Sequence, residues 1–175
     1  MDGRKHVVLG ISAGLLAAAG VHKLEPSLLT PALGSALVFG STIGSVLPDM
    51  DSDKSSISSM TYLSVPIVAI SNVLNEITLS PNHRGFMHDL TFWILMSVLC
   101  WKFLPLGWFI SILGVFVGIF SHLFADMFNP SGIRVFFIKH ISVLRVAYGS
   151  AMELIVWILM NAFMLAGAAS LAFGL

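Results

Sequence analysis

Sulfur and charge are both scarce in this chain of 175 residues, and each scarcity removes a class of explanation. Cys100 is the only cysteine, so neither an intrachain disulfide nor a cysteine-based zinc cluster can form. Any bound metal must then be held by histidine and carboxylate. Only 10% of the residues are Asp, Glu, Lys or Arg, against roughly a quarter in soluble domains. Nine cations balance nine acids to a net charge of +0, which leaves no basic face for nucleic acid, and none is expected as a partner.

What fills the chain is apolar: 57% hydrophobic residues and a mean hydropathy of +0.91. A helix needs about 20 mostly apolar residues to cross a bilayer, so five spans with short connections use nearly the whole length. The expected fold is an all-α integral membrane protein with about five transmembrane helices plus one interfacial or re-entrant segment. Residues 1–175 form a single membrane-embedded domain, with membrane lipid as its surroundings. The first span, 6–21, has signal-peptide-like flanks, but no cleavage site followed by a soluble domain comes after it, so it reads as retained.

A second span covers 31–47, where Gly34, Gly40 and Gly44 with Ser35, Ser41 and Ser45 permit close helix packing. Gly10, Gly14 and Gly20 read as packing positions in the first. Within 57–79 the apolar run from Met60 to Val73 is short, broken by Pro66 and bounded by Asn72, Asn75 and Glu76, so the segment reads as non-spanning. Further spans are expected at 86–104, 108–128 and 151–173. Between the last two, 132–148 mixes four cations with β-branched residues and reads as an interfacial stretch or an extended lid.

The polar residues gather at span ends. His122 and Asp126 are four apart, which stacks them on one face of a helix, close enough to hold one metal ion. An ionisable group in a membrane helix is costly and usually faces a cavity or a partner. Pro48-Asp49-Met50-Asp51-Ser52-Asp53 closes the second span, and Asn82-His83-Arg84-Gly85-Phe86-Met87-His88-Asp89 opens the third. If 57–79 does not cross, alternating spans bring His6, Asp49, Asp51, His83, His88, His122, Asp126 and Glu153 to one membrane surface. Seven of the nine Lys and Arg fall on that side, all but Lys23 and Lys102. The positive-inside rule then makes it cytoplasmic, with the N-terminus and the metal site inside and the C-terminus outside. His22, on the other side, and His140, in a basic run, read as interfacial residues.

The ordered set PDMD, NHRGFMHD and SHLFADMFNPSG with a late Glu, covering 6–153, resembles the YdjM-like family of membrane-bound metal-dependent hydrolases. That family is in turn similar to the zinc-dependent phospholipase C and single-strand nuclease superfamily. The resemblance implies metal ligands at Asp49 or Asp51, at His83 or His88, and at His122 and Asp126, with His6 and Glu153 as additional ligands. This chain has Met87 and Asp89 flanking the last histidine of HRGxxH, where the family commonly has Thr and Ser.

Imidazole and carboxylate without thiolate suit zinc, and also manganese or iron. More than four candidate ligands suggest two or more ions, an arrangement suited to phosphoester displacement by a metal-activated water. Asp51 or Glu153 can take the proton. Arg84 is placed either to bind an anionic oxygen or to anchor the chain at the membrane surface. Two classes of function compete. One is a hydrolase of a lipid or lipid-linked phosphoester; the other is a non-catalytic metal-binding protein or divalent-cation transporter. A transporter places its ligands near mid-membrane, so the span-end clusters favour the hydrolase.

Overall fold

The computed structural model describes residues 3–51, 69, 73, 76, 86–137 and 139–174. Among them are five α-helices and a two-stranded ribbon. Helix α1 is Gly3–Leu24 and α2 is Pro31–Gly44, followed by a 3-10 turn over Leu47–Asp51. A 3-10 turn at Phe86–His88 leads into α3, Leu90–Phe103, and then come α4, Leu106–Asp126, and α5, Ala151–Phe173. Helices α1, α4 and α5 hold 22, 21 and 23 residues and are long and apolar enough to cross a membrane. So is the run Pro31–Met50, which counts α2 with its 3-10 extension.

Helix α3 is shorter than the expected span. Its 14 residues rise about 21 Å, less than the roughly 30 Å of a hydrocarbon core. The reason is local: the Asp89 carboxylate accepts the Thr91 and Phe92 amides at 2.9 and 3.1 Å, which fixes the helix start beyond His88. The interfacial segment expected at 57–79 lies outside the described residues apart from positions 69, 73 and 76.

Glycine sets how closely the helices approach. A Cβ at Gly44 would overlap the Val115 carbonyl, one at Gly118 the Ser41 carbonyl, and one at Gly114 the Leu37 carbonyl. Backbone therefore meets backbone between α2 and α4. On α1, a Cβ at Gly10 would stand 2.7 Å from the Ser41 carbonyl oxygen and one at Gly14 2.8 Å from Val38 Cα. Gly20 and Gly34, equally small in sequence, line no such contact; nothing lies within 4 Å of a Cβ at Gly20. Hydroxyls inside the bundle find partners, as lipid surroundings require. Ser41 Oγ donates to the Gly10 carbonyl at 2.7 Å, and Ser12 Oγ to Asn161 Oδ1 at 2.8 Å.

The polar stretch after α4 folds as an antiparallel ribbon of β1, Ile133–Val135, and β2, Lys139–Ile141, pairing Ile133 with Ile141 and Arg134 with His140. Gly132 enters it at φ 63°, where an added Cβ would also strike the Ile141 carbonyl. Ile133 anchors the ribbon to Phe116, Ile119 and Leu123 of α4. At its tip Phe136 and Phe137 both take positive φ, 52° and 59°, which bulky residues avoid. Their amides donate to Thr91 Oγ1 at 2.8 Å and Asp89 Oδ2 at 2.6 Å, so the start of α3 holds the turn in place.

Gly118→Ala should cost about 1–3 kcal/mol through overpacking, whereas Gly20→Ala, facing open space, should be neutral or stabilise by about 0.4–1 kcal/mol. Melting of the two variants in detergent checks the contrast; equal melting temperatures would contradict the close-contact assignment.

Candidate metal centre

Four helix ends meet at one end of the bundle, and each carries polar cargo there. His6 lies in the first turns of α1, Asp49 in the 3-10 turn after α2, and His88 just before α3. His122 and Asp126 occupy the last turns of α4. Helix α2 stops at Gly44 because Pro48 follows: its ring restricts Leu47 and it lacks an amide hydrogen. The freed Ser45 carbonyl is then available to a side chain.

His122 takes it. Its Nδ1 donates to the Ser45 oxygen at 2.7 Å, and since a carbonyl can only accept, the proton of the neutral ring sits on Nδ1. The Nε2 lone pair is thereby turned toward two carboxylates, 3.7 Å from Asp49 Oδ1 and 3.7 Å from Asp126 Oδ2. His88 Nε2 faces the same two atoms, at 3.6 and 3.5 Å. His6 Nε2 stands 3.6 Å from Asp126 Oδ1, and its ring stacks on His122 with centroids 3.8 Å apart. His6, His88, His122 and Asp126 are 1% exposed or less. Asp49 is the opening, its side chain 32% exposed.

This donor set fits a metal. Among the described residues, His88 Nε2 and His122 Nε2 have no hydrogen-bond partner although both are buried. A lone pair facing carboxylate oxygens is repulsive unless a cation lies between them. Ligand atoms on a tetrahedral zinc with bonds of about 2.0–2.1 Å stand roughly 3.3–3.4 Å apart, close to the separations seen. Two groups of three have ligand atoms within 4.8 Å of one another: His6, His122 and Asp126, and Asp49, His88 and His122. His122 belongs to both.

Glu153 stands apart from both groups. Its Oε2 lies 3.0 Å from Lys5 Nζ and accepts the Gly149 amide at 2.8 Å, so in the structure it ties the start of α5 to α1. His83, Arg84 and the side chain of Asp51 lie outside the described residues. Asn129 is a site residue that the ligand spacing alone does not single out. Buried in the turn after α4, it donates its amide to Asp126 Oδ1 and so orients that carboxylate. Its place three residues beyond Asp126 was the available signal. Asp89 is also fully buried, but among the described residues the three bonds its carboxylate accepts are all from backbone amides, and it caps α3 without joining the cluster.

Over residues 1–172 the chain matches the family described as YdjM inner membrane protein. It is 27% identical over 141 residues to inner membrane protein YdjM of Escherichia coli (strain K12), a stretch that covers 76% of this chain. The same protein of Shigella flexneri gives the same values. The matched stretch spans 63% of the length of these curated relatives. No solved structure matches. With a match that takes in nearly every residue, this chain belongs to the YdjM inner membrane protein family.

Proposed function

We propose that this protein is a membrane-bound metal-dependent hydrolase that cleaves a phosphoester of a lipid or lipid-linked substrate at the cytoplasmic face. The observation that supports it is the convergence of three buried imidazoles and two carboxylates on one pocket, opened to the surface by Asp49. His6, His88, His122, Asp49 and Asp126 are the proposed ligands, joined by His83 or by Asp51 if their side chains reach the pocket. A divalent ion held by these residues would supply Lewis acidity and an activated water. Zinc is our choice from the nitrogen and oxygen donors, and His122, common to both groups, suits two neighbouring ions.

The remaining roles belong to the chain's own side chains. Of the two carboxylates able to accept a proton, Glu153 is held by Lys5 and the Gly149 amide, so we assign the role to Asp51. Arg84 is proposed to orient the anionic group. The ribbon, with Phe136 exposed at its tip and Val143, Leu144 and Tyr148 exposed beyond it, offers apolar surface beside Lys139, His140 and Arg145. Such a mixture suits a lid at the headgroup level, where an anionic head can enter while its tails stay in the bilayer. The similarity to zinc-dependent phospholipase C proposed from the motifs belongs to this reading.

Substituting His122→Ala and Asp126→Ala together should remove bound metal, measured by elemental analysis of purified protein; unchanged metal content would refute the site. Asn129→Ala should keep the fold and weaken metal affinity by about 10–100-fold, the usual cost of losing a partner that orients a ligand. For the reaction, metal-replete protein should hydrolyse a phospholipid or soluble phosphoester in detergent. Arg84→Lys should lower turnover with metal content intact, because the planar two-point fork is lost while the charge stays. Protein that hydrolyses none of a panel of phosphoesters but carries divalent ions across vesicle membranes would mark a transporter instead.

A further inference from the structure

Arg134 is 4% exposed, yet its Nε and Nη1 have no hydrogen-bond partner among the described residues. Buried guanidinium groups without a counter-charge are rare, because the lost hydration is not replaced. The acid nearest along the pairing is already committed. Asp89 is bridged to Arg134 through the backbone, but its oxygens accept the Thr91, Phe92 and Phe137 amides. Buried hydroxyls such as Ser41 and Ser12 are satisfied, and the unpartnered histidine nitrogens belong to the metal pocket, so an arginine with no partner among the described residues asks for a ligand of its own.

Its position says which ligand. The bridge sets Arg134 beside Asp89, the residue following His88, and His88 Nε2 is 3.5 Å from Asp126 Oδ2 in the metal pocket. The strand that carries it is fixed, since Ile133 is buried against α4 and the turn beyond is held by α3. A guanidinium presents donors in a planar fork that fits two oxygens of a phosphoryl group. We infer that Arg134 is an oxyanion-binding residue that receives the phosphoryl oxygens of the substrate next to the metal centre. This inference rests on the phosphoester reading above. The phosphoryl group can belong to a lipid head or to a free phosphate.

The test is melting of the metal-loaded protein in detergent, titrated with inorganic phosphate in one arm and with short-chain phosphatidic acid in the other. Wild type should be stabilised in at least one arm, and the arm that responds identifies the source of the anion. Arg134→Met should bind that ligand at least tenfold more weakly with unchanged metal content. Without ligand it should melt no lower than wild type, because an uncompensated buried charge has been removed. An arginine with a purely structural role would instead give a lower ligand-free melting temperature and unchanged phosphate affinity, and that result overturns the inference. So does a wild type that responds in neither arm. If Arg134→Met fails to fold, Arg134→Lys replaces it, with the same tenfold loss expected and undiminished affinity counting against the proposal. The two readings fail separately. Metal-free protein with Arg134-dependent phosphate binding removes the hydrolase and leaves the anion site, whereas normal metal with Arg134-independent phosphate binding does the reverse.

Discussion

Carboxylates and imidazole lone pairs cannot crowd together in an apolar bundle unless positive charge lies between them. Taking an ionised carboxylate out of water costs several kcal/mol even after relaxation, and here Asp126 is 1% exposed with three imidazole nitrogens within 3.7 Å of its oxygens. A divalent cation held there would resolve the conflict for every member of the cluster at once. The candidate ligands come from four separate chain segments that arrive at one point at this end of the bundle.

Their arrival depends on interhelical distance. The contacts of Gly44 with Val115 and of Gly118 with Ser41 let α2 and α4 touch through their backbones. Gly10 and Gly14 do the same for α1 against α2. That closeness allows the His6 ring to lie on His122, and it brings the unwound end of α2 to where His122 can reach the Ser45 carbonyl. The hydrogen bond that selects the histidine tautomer thus exists because a proline ends a helix at the right height. Close packing and ligand chemistry are one construction, with glycine setting the distance and Pro48 freeing the acceptor.

Much of this was readable from the residues. The His122 and Asp126 pair follows from a four-residue spacing, and counting apolar spans predicts that His6, Asp49, His88 and Asp126 share one membrane surface; the structure brings these four together at one end of the bundle. The boundaries of α5 coincide with the expected span because Ser150 caps one end and Gly174, at φ 69°, closes the other. Other features depend on tertiary distance and left no local mark. Gly20 and Gly118 look alike in sequence, and only packing decides which is indispensable. Arg134 counts as one more cation in a topology rule, while its burial is a property of the ribbon. Glu153 is drawn to Lys5 by the lateral placement of α5 against α1, which no spacing along the chain encodes. The ribbon itself was visible only as a β-branched, cationic stretch that could not cross, since strand pairing follows from its turn chemistry.

Asp89 ties two parts of the molecule with a single side chain. One oxygen terminates α3 immediately after His88, and the other grips the Phe137 amide at the tip of the ribbon. Phe136 and Phe137 take a backbone conformation that bulky residues disfavour, and this grip holds the second of them in it. The carboxylate acts as a latch mounted on the same peptide as a pocket histidine. The ribbon tip and the pocket histidine thus share one anchor, held one residue apart in the chain.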